Sequence, residues 1–147
     1  MNKKYLYKLN QFVIDYYNSR SNKPLWVVSE FCCSEMSRYI GYHVLNDLRS
    51  AKAYILKGNI SKSLSHDILL IETEGKFTLI DPTIWQFFKN KKSIFVGDYR
   101  NLESAVVGAK KVYTGDWSIS EELNKGTLKR EVPEMLNIIN KNIKNND

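Results

Sequence analysis

Ser65-His66-Asp67-Ile68-Leu69-Leu70-Ile71-Glu72-Thr73-Glu74-Gly75-Lys76-Phe77-Thr78-Leu79-Ile80-Asp81-Pro82 is the stretch on which the reading of the fold turns. The apolar run Ile68 to Ile71 is continuous, as in a strand covered on both faces. Thr73 to Lys76 forms a turn in which Gly75 can take a positive φ. Pro82 removes a ladder donor and ends the second strand. The segment therefore predicts two antiparallel strands, Ser65–Glu72 and Lys76–Asp81, joined as a hairpin. With a two-residue loop, Glu74-Gly75, Thr73 faces Lys76 and Ile68 faces Asp81. Side chains alternate along a strand, so His66 and Asp81 become diagonal neighbours on one face, about 7–8 Å apart. A three-residue loop would shift the register by one and separate them.

Outward from the hairpin, apolar spacing predicts helices. Leu6, Leu9, Phe12, Val13, Tyr16 and Tyr17 mark one over Tyr5–Tyr17. Met36, Ile40, Val44 and Leu48 make a narrow stripe on a second, Cys33–Leu48, which Cys33 and Ser37 begin. Leu25–Val28 is too short to classify. Ala53–Leu56 and Ser93–Val96 are further strand candidates. Asn101–Tyr113 and Val132–Ile143 read as C-terminal helices. The order of helix, helix, strands and helices predicts an α+β architecture, in one domain over residues 1–147.

Composition narrows the function classes. With 43% hydrophobic and 26% charged residues, the chain is neither disordered nor a disulfide-dense miniprotein. Three prolines and seven glycines leave no room for long low-complexity linkers. The net charge of +6 comes from 22 basic and 16 acidic residues. The lysines are scattered, and their densest cluster is Lys89, Lys91 and Lys92. That pattern reads as a solvated surface rather than a nucleic-acid site. No run approaches the ~18 apolar residues of a membrane span. The first twenty residues lack the apolar core of a secretory signal. The two cysteines, Cys32 and Cys33, are adjacent, which allows no disulfide framework and suggests a reducing cytoplasm. With His43 and His66 they lack the spacing of a zinc site, so neither metal nor cofactor is expected.

Cys33, His66 and Asp81 carry the candidate chemistry. At a helix start, the positive end of the dipole favours a thiolate. A carboxylate beside His66 would accept from one ring nitrogen and leave the other for a thiol. Taken singly, each has an ordinary reading: a small apolar residue, a structural histidine and a turn starter. Cys32 is the alternative nucleophile. His43 reads as a hydrogen-bonded structural histidine, and Ser37 as a packing or hydrogen-bonding residue. Trp85, Phe87 and Phe88 read as core, with a groove wall as the alternative. Trp117 reads as structural.

The stretch Cys33-Ser34-Glu35-Met36-Ser37-Arg38 resembles the Cys-x-Glu-x-Ser-Arg helix start of small bacterial papain-like proteins. His66 to Ile71, followed by Ile80-Asp81-Pro82-Thr83-x-x-Gln86-Phe87, is similar to their His strand and Asp-Pro-Thr-x-x-Gln-Phe motif. The resemblance covers Phe31 to Phe88. It implies a papain-like fold in which a Cys-bearing helix packs on a small antiparallel sheet bearing His and Asp, with further helices before and after. It assigns Cys33 as nucleophile, His66 as base and Asp81 as orienting acid. Papain-type enzymes place a Gln shortly before the Cys for the oxyanion hole. Here no Asn or Gln lies nearer than Asn22, so the Cys33 N–H would need Ser29 or Asn22 as a second donor. Gln86 is a further candidate, with support of the fold as its other role.

The expectation is a thiol-dependent enzyme acting on an amide bond, by peptide cleavage or by glutamine deamidation or acyl transfer. Its partners would be a protein or peptide substrate and an immunity or regulatory protein. The rivals are a binding module with a degenerate site, and a basic toxin-like effector domain acting on nucleic acid.

Overall fold

The computed structural model describes residues 1–146. Among these residues five α-helices and five strands follow in the order α1 (Lys3–Asn18), α2 (Leu25–Val28), α3 (Cys33–Asp47), β1 (Lys52–Asn59), β2 (Ser65–Thr73), β3 (Lys76–Asp81), β4 (Phe95–Tyr99), α4 (Leu102–Tyr113), β5 (Asp116–Glu122) and α5 (Lys125–Asn146). A single 3₁₀ turn, Ile84–Gln86, follows β3. The α+β expectation holds. All pairings are antiparallel, in the order β4-β3-β2-β1-β5.

The hairpin turns on two residues. Thr73 pairs with Lys76, and Leu69 with Ile80. Glu74 and Gly75 take φ of 51° and 73°, the paired positive values that match a turn to the right-handed twist of its strands. β2 is the central strand, and His66 to Ile71 are all buried, as the unbroken apolar run required. Met36, Ile40 and Val44 of α3 and Val13 and Tyr17 of α1 are buried in the same core. α3 lies against β1, β2 and α5, while α4 lies against β3, β4 and β5.

Several boundaries differ from the sequence expectation. Leu25–Val28 is a one-turn helix after Pro24. The fourth strand begins at Phe95 rather than Ser93. β5 interrupts the two C-terminal helices and closes the sheet on β1. Its seven residues bury only Trp117, so they carry too little apolar alternation to announce a strand. α5 starts at Lys125, not Val132, and contains Pro133. Asn124 accepts from the Thr127 N–H at 3.0 Å and starts it. Its first turns bury only Leu128, so the helical period is faint there. No helix among the described residues is long and apolar enough to cross a membrane.

Candidate active site

The register brings His66 and Asp81 together. Nε2 of His66 lies 2.8 Å from Oδ2 of Asp81, with the two residues 1% and 0% exposed. Pro82 ends the strand there, and the chain turns so that Thr83 donates to Asp81 Oδ1 from both its backbone N–H, at 2.8 Å, and its hydroxyl, at 3.0 Å. The Tyr113 hydroxyl donates to Oδ2. Asp81 thus has four donors. Burial alone would raise its carboxyl, but the charge of His66 and these hydrogen bonds outweigh it and hold Asp81 below the ordinary carboxylate value. Burial likewise opposes a charge on His66. The Asp81 carboxylate overcomes this, with help from Cys33, and pushes the imidazole up to about 10.

The second ring nitrogen, Nδ1, is buried with no partner at hydrogen-bond geometry. With Nε2 committed to Asp81, Nδ1 is the nitrogen left for Cys33, which interacts with the ring. Three aromatic rings enclose the imidazole: Phe87 at 4.6 Å, Tyr113 at 5.3 Å and Trp117 at 6.4 Å between centroids. Trp117 reaches it because Gly58 stands between them. Gly58 pairs with His66 on one side and Trp117 on the other, and a Cβ there would lie 2.3 Å from the indole.

Cys33 is the first residue of α3, with Cys32 as its N-cap. Of the three aligned residues only Cys33 is partly exposed. It opens into a groove of about 480 Å³ lined by Trp26, Phe31, Leu64, Gln86, Phe87 and Lys89, among others. Cys32 points the other way. It is fully buried, and burial, with the charges of Glu35 and Cys33, pushes its thiol up to about 12. It is therefore a poor nucleophile.

The expected oxyanion partners are not brought together. Ser29 is buried with its hydroxyl unpartnered, Asn22 lies in the turn between α1 and α2, and neither lines the groove. Gln86 does line it, but its Nε2 donates to the Ser29 carbonyl at 2.7 Å, tying the 3₁₀ turn to α2. The Cys33 N–H, at the first position of a helix, is one of the donors a helix leaves free.

Other single residues sort as follows. Ser37 donates to the Asp67 carbonyl at 3.2 Å, anchoring α3 on β2. His43 is not hydrogen-bonded through Nε2. Its ring packs at a steep angle against Phe12 and Tyr39, with centroids 4.8 and 4.7 Å away, on the α1–α3 seam. Trp85 is fully buried and donates to Lys91 O at 2.8 Å, whereas Phe88 is 37% exposed and so is not core. Tyr113 was not singled out from the sequence. It sits 32 residues from Asp81, in a helix whose pattern gives no hint of a polar role.

Compared with known proteins, the chain matches no family model, no curated protein and no solved structure.

Proposed function

We propose that this chain is a papain-like thiol enzyme that acts on an amide bond. The observation that carries the reading is the buried pair: Nε2 of His66 held 2.8 Å from Asp81, with Nδ1 left unpaired for a cysteine that opens into a groove. An imidazolium fixed in this way provides the counter-ion for a thiolate. Sγ of Cys33 attacks the carbonyl carbon and a C–S bond forms. The C–N bond then breaks as His66 hands its proton to the departing nitrogen, leaving a thioester. Water, giving its proton back to His66, attacks the thioester and releases the acid and the thiolate. A peptide or a glutamine side chain satisfies the same scheme. The Cys33 N–H would supply one hydrogen bond to the oxyanion.

The second reading is a binding module on the same scaffold. What favours it is the groove's shortage of oxyanion donors: Ser29 and Asn22 do not line it, and the Gln86 amide already donates to Ser29.

Alkylation separates the two. With iodoacetamide at about pH 6, Cys33 in the wild type is expected to react at least about tenfold faster than in His66→Ala or His66→Gln, while Cys32 stays inert. Mass spectrometry resolves the two adducts by peptide fragmentation. Equal Cys33 rates in wild type and in a folded His66→Gln variant would overturn the enzyme reading.

A further inference from the structure

Phe31 combines three features that packing does not explain. It is 69% exposed, although it is a large apolar side chain. Its φ is +62°, in the left-handed region that L side chains with a Cβ avoid. Its carbonyl accepts from the Asn142 amide at 3.0 Å, and the preceding Glu30 carbonyl accepts from Asn146 at the same distance. Two asparagines one turn apart on α5 therefore hold the loop in an unfavourable conformation that leaves a phenyl ring in solvent. Phe31 stands two residues before Cys33 and lines the same groove. Strain of this kind persists where the surrounding structure enforces it, and such residues cluster at functional sites.

The other walls match. Trp26 and Leu64, 39% and 45% exposed, line the groove with Phe31. The charges beside them, Glu30 and Lys89, are of opposite sign. The Lys89 ammonium lies 4.1 Å over the Trp26 ring, against the aromatic face. The charged side chains of the groove therefore balance and give it no sign with which to select a charged substrate, and it offers three exposed apolar side chains for a substrate to cover.

We infer that Phe31 is a specificity-determining residue, and that the substrate is a polypeptide presenting a large apolar side chain beside the carbonyl attacked by Cys33. This inference deepens the amide-bond reading and rests on it.

The test uses a series of chloroacetamides with N-phenylethyl, N-isobutyl, N-carboxyethyl and N-aminoethyl groups. In each case Sγ of Cys33 displaces chloride, and the rate is divided by that of the same reagent with glutathione. Wild-type protein should favour the phenylethyl and isobutyl reagents over both charged ones by about tenfold or more. Phe31→Gly should bring the ratio to within about twofold, and Phe31→Leu should keep most of it. Glycine adopts the +62° φ without strain, so Phe31→Gly retains the backbone. A wild-type ratio within twofold, or a ratio unchanged in Phe31→Gly, overturns the inference. Failure of the amide-bond reading shows separately, as Cys33 alkylation that ignores His66.

Discussion

At the scale of single residues, the site is built around a carboxylate with no unmet demand. Asp81 receives Thr83 twice on one oxygen, and His66 and Tyr113 on the other. Hydrogen bonds to a buried charge are worth more than neutral ones, about 1.5–3 kcal/mol each. Tyr113→Phe removes one of them without changing the ring's packing. The expected outcome is a loss of about 1.5–3 kcal/mol in urea unfolding, with the far-ultraviolet dichroism unchanged. A loss under about 0.5 kcal/mol would mean that the hydroxyl contributes nothing net. Adjacent cysteines end up opposed because the helix begins between them. Cys32 caps α3 and faces the core, while Cys33 opens the first turn and faces the groove.

At the scale of elements, the surroundings of the His66–Asp81 pair depend on contacts between strands and helices that are far apart in sequence. Gly58 is the clearest case, since any side chain there meets the Trp117 indole that packs on His66. Gly58→Ala should cost about 1–3 kcal/mol by overpacking and should shift the tryptophan fluorescence as the indole leaves the imidazole. Unchanged stability and emission would show that β5 yields without cost. The other long connection is α5. Asn142→Ala combined with Asn146→Ala should speed amide hydrogen exchange over residues 29–33 while leaving the β2–β3 amides protected. Equal exchange in the loop would show that the asparagines do not hold it.

For the whole molecule, the His66–Asp81 pair makes stability depend on pH in a defined window. His66 is raised from 6.5 to about 10, so its contribution is complete below 6.5 and is lost as pH rises toward 10. Asp81 is lowered from 3.8, so its contribution is present above that value and is lost as pH falls below it. Thermal stability should therefore be greatest between about pH 4 and 6.5 and fall steadily to pH 10. His66→Gln should flatten the alkaline limb. A wild-type melting temperature that is flat from 6.5 to 10 would mean that His66 is neutral in the folded protein.

Much of this architecture was legible because its causes are local. The run Ile68 to Ile71 demanded a strand buried on both faces, while the length of the turn stayed open until the structure closed it on two residues, Glu74 and Gly75. From that loop length followed the register that sets His66 beside Asp81. The start of α3 at Cys33 came from helical spacing in the same way. Tyr113, Trp117 and the asparagines of α5 were not legible. Each acts through a contact with a residue distant in sequence, and neither periodicity nor spacing encodes which far segments will meet. The oxyanion candidates Ser29 and Asn22 failed for the same reason, since nearness along the chain says nothing about which side of α2 faces the groove. The hairpin and the helix that starts at Cys33 are written in the chain itself, because alternation, turn chemistry and apolar period are local properties, whereas the register waited on the length of the turn. Only the tertiary structure decided which cysteine faces the groove, what surrounds the imidazole and how the carboxylate is satisfied, because those depend on how distant elements pack.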